Sequence, residues 1–193
     1  MKKYFAEALG AFLLSFAVIS SLHSSFPVAT PVVAGLTLAL VVYSIGWLSG
    51  AHINPAVTIG LWSIKKINTM TAVRYIVAQF VGAGIALLLG RYLGFNSQLV
   101  VANTGPVAFA EFIGTVFFTF GIASVVHEKS PAAVSGLVVG GSLLLGLSLA
   151  SVASNAILNP AVAFGIGSFG WAYALAPVAG SLVGMRLFKW LAA

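Results

Sequence analysis

Apolar residues fill this chain in long blocks, and polar positions gather at the breaks between blocks instead of alternating through them. Six blocks have the length of a membrane-crossing helix: residues 4–22, 31–50, 71–93, 106–127, 131–153 and 171–190. At a rise of about 1.5 Å per residue, about 20 residues cross a hydrocarbon core of about 30 Å. Two starts carry local signals, Thr30-Pro31 and Ser130-Pro131, each patterned as an N-cap followed by proline at the first helical position. Two further apolar segments, 51–64 and 155–170, are too short to cross, and each holds an Asn-Pro. They are predicted to be re-entrant half-helices, an arrangement tolerated at membrane depth only against protein or around a cavity.

Composition makes the membrane reading compulsory. The 193 residues are 60% hydrophobic and 6% charged, whereas a soluble domain carries about 25% charged residues. No Asp, Glu, Lys or Arg occurs in residues 8–64 or 130–185. Such a chain cannot coat a globule in water, which excludes a soluble enzyme, a nucleic-acid-binding domain and a disordered chain. The absence of cysteine excludes disulfides, Cys-based zinc sites and thiol catalysis. Lys2-Lys3 before an apolar stretch also resembles a signal peptide; Glu7 within the stretch and the lack of a small-x-small site near 20–25 argue against it.

The net charge of +6 does not cluster on one soluble face; it punctuates the apolar runs. With the N-terminus in the cytoplasm, Lys2, Lys3, Lys65, Lys66, Arg74, Lys129, Arg186 and Lys189 all fall on the cytoplasmic side, and only Arg91 lies opposite. That asymmetry is what the positive-inside rule requires.

The chain also repeats. Asn54-Pro55-Ala56-Val57 recurs as Asn159-Pro160-Ala161-Val162, 105 positions on. Glu7-x-x-Gly10 recurs as Glu111-x-x-Gly114, Gly35-Leu36 as Gly136-Leu137, and Ala78-x-x-x-Gly82 as Ala176-x-x-x-Gly180, at offsets of 104, 101 and 98. Four landmarks in one order indicate duplication of three spans plus a half-helix, repeat one over 1–94 and repeat two over 105–193. Three spans is odd, so the second copy enters from the opposite side, and the two Asn-Pro tips are expected to meet near the midplane.

At such a meeting point each residue type has a physical use. Asn54 and Asn159 can cap their half-helices with the amide oxygen and still point NH₂ donors into a lumen. Pro55 and Pro160 suit the first helical position, and Ala56 and Ala161 are small enough for the tips to touch. Each half-helix start acts as about +0.5 charge, so two facing ends repel cations and orient an oxygen acceptor toward the asparagines.

On these residues, the run Ser49-Gly50-Ala51-His52-Ile53-Asn54-Pro55-Ala56-Val57-Thr58, Asn159-Pro160-Ala161, Glu7, Glu111, Gln79, Gly82 and Pro177, the chain resembles the aquaporin (major intrinsic protein) family over essentially its whole length. The resemblance implies an all-α membrane protein of six spanning helices and two re-entrant half-helices, a pore in every protomer, a homotetramer, and passive flow of water or small uncharged solutes without a cofactor. It further implies a bacterial-type member in the plasma membrane of a bacterium or archaeon, with both termini cytoplasmic.

One departure concerns selectivity. The family usually carries an arginine directly after the second Asn-Pro-Ala, where this chain has Val162. The resemblance places the other constriction positions at Ala34, Leu147 and Ala156, among which the family generally keeps an aromatic residue and often a histidine. Ala, Leu, Ala and Val supply neither charge nor side-chain donor, so a five-donor fork is replaced by an isopropyl group. A wider, greasier constriction is expected, with poor discrimination against glycerol-like polyols, neutral metalloid acids or small neutral organic molecules.

Other residues admit two readings. Glu7 and Glu111 lie within spans, as a proton relay or as acceptors for irregular loop backbone; one per repeat favours the second. His52 is either a pore-mouth residue with a pH-gating role or a hydrogen-bonded loop histidine. His23 and His127 sit at span ends, and the scattered histidines do not make a metal site. Gly46-x-x-x-Gly50, Gly136-x-x-x-Gly140 and Gly180-x-x-x-Gly184 are expected at close helix crossings. Trp47, Trp62, Trp171 and Trp190 are placed for an interfacial belt. A secondary transporter is the competing function, since it too uses inverted repeats and broken helices. No paired catalytic residues support an intramembrane enzyme.

Overall fold

The computed structural model describes residues 1–22, 26–95 and 99–193, so His23 lies outside the described residues. Six helices are long and apolar enough to cross a membrane: α1 (Lys2–Ser21), α2 (Thr30–Ser49), α4 (Thr69–Tyr92), α5 (Gly105–Val126), α6 (Ser135–Ala150, extended at its start by a 3₁₀ turn at Ala132–Val134) and α8 (Trp171–Leu191). Among the described residues two short helices accompany them, α3 (Pro55–Ser63) and α7 (Pro160–Gly165).

The helix starts differ from the proline pattern in two places. Ala29 is the N-cap residue of α2, which puts Pro31 one position further in, and the Thr30 hydroxyl accepts a hydrogen bond from Ser21 at 3.1 Å instead of capping. Pro131 stays extended with ψ 137°, and the α-helix begins only at Ser135. The second half-helix is the larger surprise: α7 holds six residues against nine in α3. The shorter α7 brings its opposing C-terminal partial charge nearer the tip, which weakens the field there relative to α3.

Long helices pack in matching pairs. α1 lies on α4 and on α2, as α5 lies on α8 and on α6, while α2 meets α6 across the centre. Each half-helix leans on the other set, α3 against α8 and α7 against α4. Gly82 and Gly180, two of the repeated landmarks, sit where α4 and α8 cross their partners. A Cβ on Gly82 would run into the Ala8 carbonyl of α1, and one on Gly180 into the Phe112 carbonyl of α5. Gly180→Val is therefore expected to cost about 1–3 kcal/mol by overpacking, read as a lowered thermal midpoint of the detergent-solubilised protein.

Gly136 and Gly140 likewise approach α2, and Gly184 approaches α5, as the small-residue spacing predicts. Gly46-x-x-x-Gly50 does not mark a crossing. A Cβ on Gly46 would find ordinary contact distances, and Gly50 is the left-handed C-cap of α2 at φ 89°. The outward faces carry Leu36, Leu40, Leu88, Leu137 and Leu175, each at least 65% exposed, a surface that only lipid or a neighbouring protein can cover. Trp47 and Trp190 are the most exposed indoles.

Candidate functional site: the clasped half-helices and their conduit

The segment between α2 and α3 is held in a conformation that its residues do not favour. Ala51 (φ 49°) and Ile53 (φ 39°) are left-handed, and Ala156 (φ 51°) and Leu158 (φ 54°) repeat the pattern before α7. Such positions cost about 1–3 kcal/mol each and persist only where surroundings impose them. Buried carboxylates do so. Glu7 Oε1 accepts from the Ser49 hydroxyl (2.6 Å) and the His52 N–H (2.9 Å), and its Oε2 accepts from the Ile53 N–H and Gln79 Nε2 (both 2.7 Å). Glu111 Oε1 accepts from the Ser154 hydroxyl (2.7 Å) and the Ile157 N–H (3.0 Å), with Oε2 on the Leu158 N–H (2.7 Å). Neither carboxylate lines the conduit described below.

The chain turn so fixed delivers each asparagine to its helix start. Asn54 Oδ1 accepts from the Ala56 N–H at 2.8 Å, and Asn159 Oδ1 accepts from the Ala161 and Val162 N–H groups at 3.0 and 3.3 Å. The amide nitrogens cross over. Asn54 Nδ2 donates to the Leu158 carbonyl (2.9 Å), and Asn159 Nδ2 donates to the Ile53 carbonyl (3.0 Å). One hydrogen of each NH₂ thus joins the tips in a reciprocal clasp, which the sequence reading, with both donors aimed at a lumen, did not contain. The second hydrogen of each remains for the lumen. Ala56 and Ala161 are fully buried at the junction.

Sequence reasoning missed several supporting side chains. Ser49 and Ser154 bond the two carboxylates. Tyr75 donates its hydroxyl proton to the Ser49 carbonyl at 3.0 Å, and the Tyr173 hydroxyl accepts from the Asn155 N–H at 3.3 Å. These pairs recur at offsets of 105 and 98, the spacings of the landmarks already noted, so the same comparison would have found them. Other positions break the symmetry. Gln79 Nε2 donates to both Glu7 and Thr58, and His52 Nδ1 lies 3.2 Å from the Thr58 hydroxyl. Their counterparts by offset are Pro177, Ala163 and Ile157.

A narrow cavity of about 520 Å³, including its open end, runs past these tips. Asn54 and Asn159 line it, and so do Ala34, Leu147, Ala156 and Val162, all four of the positions expected at the constriction. Its remaining wall is chiefly aliphatic, from Leu14, Val18, Leu38 and Leu143. A second cavity of about 1040 Å³, including open space, is bounded by Gly50, Ala51, Val57, Lys66 and Val126. Among the described residues, His52 alone lines both. Its ring stands edge-on to Tyr75 with centroids 5.0 Å apart.

Near the second cavity, His127 follows the last residue of α5 and has a buried Nε2 without a partner. Burial, then the positive charges of Lys66, Lys189 and Lys129, hold its pKa below the ordinary 6.5. The folded chain therefore binds fewer protons here than the unfolded one, and stability is lost as pH falls from about 6.5 toward the depressed value. His127→Gln is expected to flatten the pH dependence of the thermal midpoint in that window.

Six apolar helices of membrane length around two asparagine-capped half-helices, clasped tip to tip beside a narrow cavity, define a helical membrane channel of the half-helix type. The chain belongs to the major intrinsic protein family, whose model matches residues 1–190. Similar proteins include nodulin-26 of Glycine max, 34% identical over 98% of this chain and 77% of that one. Aquaporin Z of Bradyrhizobium diazoefficiens is 31% identical over 99% and 93%, and a probable aquaporin AqpM of Archaeoglobus fulgidus is 33% identical over 98% and 95%. The fold matches the X-ray structure of an aquaglyceroporin from Plasmodium falciparum with a TM-score of 0.73 at 24% identity, covering 97% of this chain and 95% of that one. The protein is accordingly an integral membrane channel for water and small solutes, not an enzyme.

Proposed function

We propose that the conduit passes water together with uncharged solutes up to about the size of glycerol, and that the apolar character of Ala34, Leu147, Ala156 and Val162 sets this breadth. The observation that carries the reading is their convergence on one cavity with the two asparagines. A solute there meets aliphatic walls, the free N–H of each asparagine and loop backbone, without the fixed cation that would exclude by size and charge together. Polyols, neutral metalloid acids and small neutral organic molecules fit that chemistry. Glu7 and Glu111 act as positioning residues for the loops, and His52 forms the neck between the two cavities.

In this reading residues 1–94 and 105–193 are inverted repeats, both termini are cytoplasmic, and the protein is a homotetramer in the plasma membrane of a bacterium or archaeon. The transporter alternative gains no support from the site. Its titratable lining is confined to His52 among the described residues, and both buried carboxylates are committed to loop N–H and hydroxyl donors. The test is stopped-flow light scattering on proteoliposomes shrunk with glycerol and then with sorbitol. Fast re-swelling in glycerol and slow re-swelling in sorbitol is expected; shrinkage without re-swelling in glycerol would reject the broad filter.

A further inference from the structure

Where α1 begins beside α4, two cations sit on an aromatic platform away from the conduit, and a third, Lys2, lines the adjoining groove. Lys3 Nζ stands 5.3 Å from the centroid of the Tyr4 ring and 5.9 Å from that of Tyr75, and Arg74 Cζ stands 5.7 Å from that of Tyr4. Arg74 also donates to the Tyr4 hydroxyl at 3.3 Å, and Tyr4 and Tyr75 meet edge to face at 5.9 Å. Among the described residues no carboxylate pairs with these cations: the chain has three acidic residues, of which Glu7 and Glu111 are fully buried and hydrogen-bonded to loop donors, and Glu128 lies in the turn after α5. The first turn of α1 holds neither an acidic residue nor a side-chain cap.

Beside this cluster runs an apolar groove lined by Met1, Lys2, Tyr4, Phe5, Trp47 and Leu48. Phe5 and Trp47 are 71% and 80% exposed. Tyr4 belongs to both features, one ring serving as the seat of two cations and as a wall of the groove.

We propose that this corner is a binding site for one anionic glycerophospholipid, its phosphate on Lys2, Lys3 and Arg74 and an acyl chain along Phe5, Trp47 and Leu48. Charge decides the occupant. A second copy of this chain could bring only Glu128 and its C-terminal carboxylate against three cations, whereas an anionic headgroup neutralises them, and a free phosphate leaves the adjoining groove empty. Tyrosine and tryptophan at the same level suit the boundary between headgroup and acyl chain.

The purified full chain, offered equal amounts of phosphatidylglycerol and phosphatidylcholine, is expected to retain the anionic lipid in native mass spectra in excess by about tenfold or more. Combining Lys2→Ala, Lys3→Ala and Arg74→Ala should abolish the preference and leave water flux intact, since none of the three lines the conduit. Equal retention, or an unchanged preference in the triple variant, overturns the site. Brominated phosphatidylglycerol should quench a fluorescence component that Trp47→Phe removes, a measurement on the otherwise unaltered chain; no such component means that no acyl chain lies in the groove. Displacement of the lipid by glycerol 1-phosphate would show an anion site instead. Because the chain has no cysteine, Phe5→Cys is a single reporter, and disulfide-linked dimers through it would assign the groove to a second copy.

Discussion

Val162→Arg is expected to lower glycerol permeability by about tenfold or more, equivalent to at least about 1.4 kcal/mol of added barrier, while water still passes. The side chain of Val162 is buried at the wall of a cavity that the small Ala34 and Ala156 also line. A guanidinium there would project into the conduit and offer donors that the side chains of Ala34, Leu147, Ala156 and Val162 do not supply. A unit charge about 4 Å from a passing cation adds about 4 kcal/mol at an effective dielectric of about 20, so proton leak should fall as well. Ala34→Phe separates the two effects, because it narrows the same level without adding charge. It should slow glycerol and leave proton leak as it was. If both variants re-swell in glycerol as fast as the parent, these positions do not set the solute range.

Glu111→Leu is expected to prevent recovery of monodisperse protein. It strips the acceptors of the Ile157 and Leu158 N–H groups and of the Ser154 hydroxyl. Two buried N–H groups left bare cost about 1–3 kcal/mol each, against a total stability of about 5–15 kcal/mol. The left-handed Ala156 and Leu158 then lose the contact that imposes their backbone angles. Glu111→Gln keeps one acceptor oxygen and no ionisable proton, so it should fold with a reduced thermal midpoint and conduct at nearly the parental rate. A well-folded Glu111→Gln that no longer conducts would instead assign the carboxyl a role in proton movement.

Much of this architecture was legible because membrane folding leaves coarse marks. Charge-free blocks set the six long helices to within a few residues at most ends, and the two Asn-Pro segments set the half-helices. The boundaries that moved did so for local reasons. Pro131 precedes a 3₁₀ turn in place of starting α6, and α7 ends at Gly165, with Gly167 left-handed at φ 75° just beyond. Neither change alters hydropathy, and Pro131 fits a 3₁₀ start as well as an α-helical one. Gly46 illustrates the same limit, since its spacing from Gly50 matches a helix crossing while Gly50 serves as a helix stop.

The site divided in a similar way. Asn54, Asn159, Glu7, Glu111 and the four constriction positions follow from repetition and resemblance. The clasp does not, because it joins side-chain nitrogens to carbonyls of Leu158 and Ile53, and backbone acceptors leave no trace in residue identity. His52 was legible in part: the sequence offers a pore-mouth residue or a hydrogen-bonded loop histidine, and packing shows that it borders both cavities while its Nδ1 lies 3.2 Å from the Thr58 hydroxyl.

The most direct measurement is osmotic water permeability of proteoliposomes across a temperature series. Clasped tips beside a narrow conduit should give flux well above empty vesicles, linear in the osmotic gradient, weakly dependent on temperature and indifferent to imposed proton or sodium gradients. Permeability equal to that of empty vesicles, or flux that saturates and follows an ion gradient, would contradict the channel.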